Sequence, residues 1–192
     1  NAATLTADLA PGSLAVATGT GLAREGAETI AELDEGRATV QLATPFRLNV
    51  EIPMDATPGD HTLKVTSPFG TVTAAVRLTP VAPALYKAVV NAQGGQTNGA
   101  LNPAGRGEAI SLYATGLGAV RRQGNQDVVV EPVTVLIRGD AVQPSFAGPA
   151  SNLPGTYVIN LTIPAGAAPG LDVPITIRQG GVESNAVAVS IR

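Results

Sequence analysis

An internal repeat is the strongest constraint on the fold, because a chain that contains one unit twice must fold that unit twice. The segment Phe46–Gly59 recurs as Tyr157–Gly170 at a constant offset of 111 residues. Both segments carry an aromatic residue, an Asn, an Ile-Pro pair, an Ala and a Pro-Gly pair in one register. Gly21-Leu22 and Gly116-Leu117 match at an offset of 95. The second copy therefore holds about 16 more residues, which fall within 118–156.

These anchors divide the chain into a shorter, divergent copy, residues 1–83, and a longer copy, residues 84–192. The segment Thr79–Tyr86 lies at the joint and contains two prolines, which predict a stiff, extended linker. Its other residues are largely apolar, so we expect the linker to pack against one of the copies.

Apolar and polar residues alternate in the repeated segment, which is the pattern of a half-buried strand. Phe46, Leu48, Val50 and Ile52 form the apolar set of the first copy, and Tyr157–Ile163 repeats the pattern. Each segment stops at an Ile-Pro pair because proline cannot donate to a neighbouring strand. The Pro-Gly pair that follows favours a turn, and two more strands then complete each copy.

Most other segments also favour strands. Gly26–Leu33 is compatible with a short helix, but we prefer a strand over Thr29–Leu33, since so short a helix is marginal by itself. The further predicted strands are Ala38–Leu42, Val128–Val130, Val133–Ile137 and Ala141–Phe146, with a turn at Gly139-Asp140.

The fold class predicted from these patterns is all-β, with two tandem immunoglobulin-like (Ig-like) β-sandwich domains. The composition agrees, because 22 Gly and 15 Pro residues favour frequent turns. Only 3% of residues are aromatic, and none is Trp. Aliphatic side chains must therefore fill most of the core.

Charge and composition exclude several partners. The net charge is −3, and the chain lacks the basic stripe typical of nucleic-acid binding. Because there is no cysteine, disulfides and thiolate chemistry are excluded. No apolar run has the length of a membrane span, so we expect no membrane insertion, and we expect a monomer.

Sequence motifs of the second copy resemble a known family over nearly all of residues 90–192. The motifs are Asn91-Ala92, Gly107–Gly118, Pro132–Gly139, Phe146–Pro149, Leu153–Pro164, Ala168–Gly170 and Ser184-Asn185. In this order they resemble the uncharacterised Ig-like C-terminal module of large secreted acidobacterial proteins, an IPT/TIG-like Ig fold. In the first copy Asn1–Ala3, Ala10–Leu14 and Gly19–Leu22 are similar to the opening of the module. The resemblance implies an Ig-like fold in an extracellular or cell-surface location, and it implies no activity.

The residues required for catalysis are scarce. His61 is the single histidine, so a Ser-His-Asp triad would depend on it, and a zinc or copper site lacks ligands. We interpret His61 as a solvated turn residue. Acidic pairs such as Asp34 and Glu35 lack the aromatic lining that usually holds a sugar for hydrolysis. The sequence therefore predicts no enzyme, no metal and no cofactor.

Two hypotheses remain for the function. The first is a non-catalytic structural or adhesive module of a secreted or cell-surface bacterial protein. The alternative is a module that binds extracellular polysaccharide or another surface protein through loops of the second copy, with Arg121, Arg122, Gln123, Asn125 and Asp127 facing the ligand. Exposure of Tyr113, Tyr157 or Phe146 would favour binding. We expect these aromatic residues to be buried, because Tyr157 lies on the apolar side of its strand.

Overall fold

The computed structural model describes all residues from 1 to 192 and contains strands and turns but no helix. The chain is all-β and consists of two tandem Ig-like β-sandwiches, as predicted. The first sandwich contains β1 (Leu14–Thr18), β2 (Ile30–Leu33), β3 (Gly36–Ala43), β4 (Arg47–Glu51), β5 (Gly59–Ser67) and β6 (Gly70–Leu78).

The two sheets of the first sandwich are joined through β3. Hydrogen bonds connect its strands in the order β1-β4-β3-β2-β5-β6. Residues 36–38 pair with β2, whereas residues 39–43 pair with β4 across a register shift between Val40 and Leu42. Such an irregularity bends a strand, so β3 can contribute to both sheets. The alternate aliphatic side chains of β2, β4 and β5 meet in one core.

The second sandwich has two larger sheets and a separate hairpin. β15 pairs with β11, β16 and β17, and β12 extends this sheet beyond β11. The facing sheet has the order β13-β14-β8-β7, and β9 and β10 form the hairpin. The strands are β7 (Ala84–Asn91), β8 (Ala109–Thr115), β9 (Val120–Gln123), β10 (Gln126–Val129), β11 (Val133–Ile137), β12 (Asp140–Val142), β13 (Phe146–Pro149), β14 (Tyr157–Thr162), β15 (Gly170–Gln179), β16 (Val182–Glu183) and β17 (Val187–Ile191).

Equivalent positions of the two copies have equivalent surroundings. The buried residues of the repeated strand, β4 or β14, are Leu48, Val50 and Ile52 in the first copy and Ile159, Leu161 and Ile163 in the second. In each copy a residue that precedes β1 or β8 forms a parallel bridge to the last strand of that copy, β6 or β17. These bridges join Leu9 to Leu78 and Ala104 to Ile191. Strands β1 and β8 are therefore equivalent, as are β6 and β17.

Several local predictions are confirmed. β2 begins at Ile30, so the strand interpretation of Thr29–Leu33 is correct and the helical one is wrong. The predicted strands Ala38–Leu42 and Val133–Ile137 correspond to β3 and β11. Val128–Val130 overlaps the end of β10.

Other local predictions are wrong. Phe46 precedes β4 and is 66% exposed rather than buried. The turn before β12 is at Arg138-Gly139, both with positive φ, one residue earlier than predicted. The segment Ala141–Phe146 is divided between β12 and β13 rather than forming one strand. The linker is shorter than Thr79–Tyr86, because β7 already begins at Ala84.

Candidate functional site

The contact between the two sandwiches is centred on Tyr157, which is buried as predicted. Its hydroxyl donates a hydrogen bond of 2.6 Å to the carbonyl of Gly118 and lies 3.4 Å from the Pro11 carbonyl of the first sandwich. The Met54 sulfur is also 3.4 Å away. Burial, with the nearby Glu51 carboxylate, raises the pKa of Tyr157 well above its usual value. The phenol therefore stays protonated and continues to donate.

Thr115 forms a second connection between the sandwiches. Its hydroxyl oxygen accepts a hydrogen bond of 2.8 Å from the backbone N–H of Leu14 and donates one of 2.8 Å to the carbonyl of Gly155. The N–H of Gly155 in turn donates to the carboxylate of Glu51 at 3.2 Å. Thr115 is fully buried, so its bond to Gly155 is shielded from competition by water.

The linker is bound at both ends. The N–H of Thr79 donates to the Leu9 carbonyl of the first sandwich at 2.9 Å, and the N–H of Ala82 donates to the Gly116 carbonyl of the second at 2.7 Å. Gly116 has a φ of +78°, and a Cβ there would collide with the carbonyl of Ala82. Glycine is therefore required for this close approach. The close contact between Gly116 and Ala82 was not predicted from the sequence. The available signal was the pair of glycines at 116 and 118, together with a proline-rich linker elsewhere in the chain.

The five residues predicted to bind a ligand all lie on the β9–β10 hairpin. Asn125 is in its two-residue turn, behind Gly124, whose φ of +61° is typical of a type II′ turn. Arg122 pairs with Asp127 at 3.3 Å. Adjacent residues of a strand point to opposite faces, so Arg121 lies on the other face from Arg122. The hairpin therefore divides the predicted set between its two faces.

A groove of about 330 Å³ lies between the hairpin and the segment leading into β13. Arg121, Gln123 and Gln126 line one side, and Gln143, Ser145 and Phe146 line the other. Arg121 is exposed and forms no ion pair in the structure. The groove thus combines amide, hydroxyl and guanidinium groups with one aromatic ring.

The hairpin is held against β13 at Gly148. A Cβ at this position would collide with the carbonyl of Asp127 and would come within 2.7 Å of the Phe146 ring. The smallest residue therefore lets the backbone of β10 approach the sheet.

Tyr113 and Phe146 lie on the outer face of the β14 sheet, so the expectation that they are buried in the core is wrong. They pair in register with Val158 and Asn160, which alternate with the buried residues of β14. Both aromatic side chains are half-buried. The face could therefore offer a ligand only part of each ring.

The interpretation of His61 as a solvated turn residue is wrong. Its Nδ1 is 2.6 Å from the Asp34 carboxylate, and its Nε2 is 2.7 Å from the Thr57 carbonyl. The hydrogen bond to Asp34, followed by that to Thr57, raises the pKa of His61. The backbone N–H of Thr62, followed by His61, lowers the pKa of Asp34. Both partners of the ring are acceptors, so the pair favours an imidazolium and leaves no ring nitrogen free as a general base.

The better-defined cavities of the structure are not lined by His61. A cavity of about 580 Å³ lies beside the linker and is lined by residues such as Pro80, Val81, Leu117 and Val182. No group of three or more His, Cys, Asp or Glu side chains is placed to hold a metal ion. No helix is present that is long and apolar enough to cross a membrane.

Comparison with known proteins finds low-identity structural likenesses to the chain. No protein-family model matches it, and no curated protein sequence matches it. Among solved structures, it is similar to the Bacteroides ovatus mixed-linkage glucan utilization locus SGBP-B in complex with a mixed-linkage heptasaccharide, with 13% identity and a TM-score of 0.36, over 96% of this chain and 42% of that one. It is similar to a protein solved with xylogluco-oligosaccharide, with 12% identity and a TM-score of 0.33, over 93% and 37%.

The titin Ig tandem domains A164-A165 are also similar, with 12% identity and a TM-score of 0.28, over 96% of this chain and 91% of that one. The chain spans less than half the length of the two sugar-bound proteins. At these identities the likeness concerns the fold alone.

Proposed function

We propose that the chain is a structural module, a rigid pair of Ig-like domains within a secreted or cell-surface bacterial protein, with no catalytic activity. The domains are residues 1–83 and 84–192. The rigid role is supported by one observation, namely the hydrogen-bonded contact of Tyr157, Thr115 and the linker between the two sandwiches.

Rigidity follows from the length of the free linker. Because Thr79 is bonded to the first sandwich and Ala82 to the second, only Pro80 and Val81 lie between fixed points. Proline restricts φ and so limits rotation there. Relative motion of the domains would also have to break the buried bonds of Thr115, whose donors and acceptors would be left without partners.

The test measures the spread of distances between the domains. Because the chain has no cysteine, Glu35→Cys and Asp172→Cys would place one spin label on an exposed site of each domain. We expect a single narrow distance distribution by pulsed electron paramagnetic resonance. Gly116→Ala should broaden it by displacing Ala82. Gly107→Ala is the control, because Gly107 has a similar φ of +81° but open space around a Cβ. A broad distribution in the parent protein would contradict the proposal.

The groove beside the β9–β10 hairpin supports a second candidate, the binding of an acidic polysaccharide. Amide groups of Gln123 and Gln126 can pair with sugar hydroxyls, and the free guanidinium of Arg121 favours a carboxylate. The test is binding to an array of neutral and uronate-containing glycans. Arg121→Gln should remove binding, whereas Arg122→Gln, on the opposite face and paired with Asp127, should retain it. Equal loss in both variants, or no binding by the parent protein, would exclude this site.

A further inference from the structure

One edge of the first sandwich differs from its counterpart in the second. In the second sandwich β7 pairs with β8 on the side away from β14. The equivalent strand β1 pairs with β4 alone. The N–H of Leu14 points away from β4, to Thr115, and alternate residues of an antiparallel strand direct their N–H groups to the same side. The N–H groups of Val16 and Thr18 are therefore directed to the open side of β1.

Asn1 occupies the place that Asn91 holds at the end of β7. The backbone nitrogen of Asn91 donates to the carbonyl of Gln96 at 2.9 Å, and that of Asn1 donates to the carbonyl of Thr6 at 2.8 Å. In both cases the acceptor lies five residues after the asparagine. Both asparagine side chains also donate from Nδ2 to backbone carbonyls of the segment that follows. Asn1 and Asn91 therefore occupy equivalent positions in the two sandwiches.

The residue after each asparagine repeats this equivalence. The N–H of Ala92 donates to the carbonyl of Ala109 at the start of β8, at 2.9 Å. The N–H of Ala2 donates to the carbonyl of Leu14 at the start of β1, at 2.8 Å. A segment leading into Asn1 in the direction of β7 would thus run antiparallel along the open edge of β1.

The last strand of the first sandwich is exposed where β7 would cover its counterpart. Val187 and Val189 of β17 are 5% and 1% exposed. The equivalent residues of β6, counted back from the parallel bridge, are Ala74 and Val76, which are exposed and half-buried. Val72 pairs in register with the buried Val65 and faces the same way, but it is 60% exposed.

A small cavity lies between the segment that follows β1 and the β5–β6 hairpin. It has a volume of about 130 Å³ and is lined by Thr20 and Leu22, which follow β1, and by Phe69 and Val72. Its walls include apolar side chains, and side-chain pockets beside an open strand edge are what an added strand uses in β-augmentation.

We propose that the open edge of β1 and the exposed inner face of β6 form a strand-acceptor site. Its occupant is an extended segment of the β7 kind, aliphatic at alternate positions, which runs antiparallel to β1 and leads into Asn1. The hydrogen bonds of Asn1 and Ala2 favour this occupant. A peptide bond formed at the nitrogen of Asn1 would leave one N–H, which can still donate to the carbonyl of Thr6. The proposal is independent of the rigid joint and of the hairpin groove.

The test joins Ala-Leu-Tyr-Lys-Ala-Val-Val, a copy of residues 84–90, to Asn1 of the 192-residue chain. We expect the amides of Val16 and Thr18 to exchange with solvent at least about tenfold more slowly, because they gain carbonyl partners. The melting temperature of the first sandwich should rise. The control fusion replaces both valines with proline, which removes two N–H donors, fixes φ and so disrupts pairing of the whole segment with β1, and it should give neither effect.

A variant of the acceptor checks the apolar half of the site. Val72→Asp changes an exposed side chain, so the unfused protein should melt at the same temperature. In the fused protein it should cancel the gain. Equal exchange of Val16 and Thr18 in the fused and proline-containing proteins would overturn the proposal. Protection by the free peptide but not by the fused one would also overturn it, since the occupant would then be a separate chain.

Discussion

The hydroxyl of Tyr157 and the carbonyl of Gly118 form a hydrogen bond of 2.6 Å in the buried contact between the two sandwiches. Tyr157→Phe would keep the packing of the ring but leave this carbonyl without its donor. We expect the free energy of unfolding to fall by about 1–2 kcal/mol, measured by urea denaturation. Tyr113→Phe is the control, because Tyr113 lies half-buried on the outer face of the sheet. Equal effects of the two changes would contradict the role of Tyr157.

The stability of the first sandwich should depend on pH through His61 and Asp34. The raised pKa of His61 makes its contribution complete below its ordinary value of 6.5, and the contribution is lost as pH rises through the raised pKa. The lowered pKa of Asp34 makes its contribution complete above 3.8, and it is lost as pH falls through the lowered pKa. Both contributions are therefore present between pH 3.8 and 6.5.

Asp34→Asn tests this pH dependence. The substitution should lower the melting temperature most within that window and progressively less on either side of it. Asp55→Asn is a matched control, since Asp55 is exposed and makes no ion pair. A constant difference between Asp34→Asn and the parent protein at all pH values would show that the pair is not the cause.

Phe46 and Leu48, which are two positions apart, test the assignment of the core. Leu48 is completely buried, whereas Phe46 is 66% exposed. We expect Leu48→Ala to lower the free energy of unfolding by about 2–5 kcal/mol, because it removes buried methyl groups and leaves a cavity. Phe46→Ala should change it by no more than about 0.5 kcal/mol. A larger loss from Phe46→Ala than from Leu48→Ala would reverse the assignment of the core.

The same two residues show what sequence alone can predict. The period-two pattern identified the strand and the burial of Leu48 because burial along a strand is a local property. It extended the pattern one residue too far at Phe46, since strand ends depend on pairing with other strands. The hairpin was missed for a different reason: Arg121, Arg122 and Gln123 are polar on both faces, so they show no alternation. The contact of His61 with Asp34 joins residues 27 positions apart, which no local pattern reveals.

Gly148 provides the sharpest test of how the hairpin is positioned. Gly148→Ala would place a methyl group against the carbonyl of Asp127, so the hairpin must move away from β13. We expect a loss of about 1–3 kcal/mol in the free energy of unfolding and faster exchange of the amides of β10. Gly166→Ala is the matched control, because neither glycine has a positive φ and Gly166 has open space around a Cβ. If both variants exchange like the parent protein, the hairpin is not held by this contact, and the groove that contains Arg121 has no fixed wall.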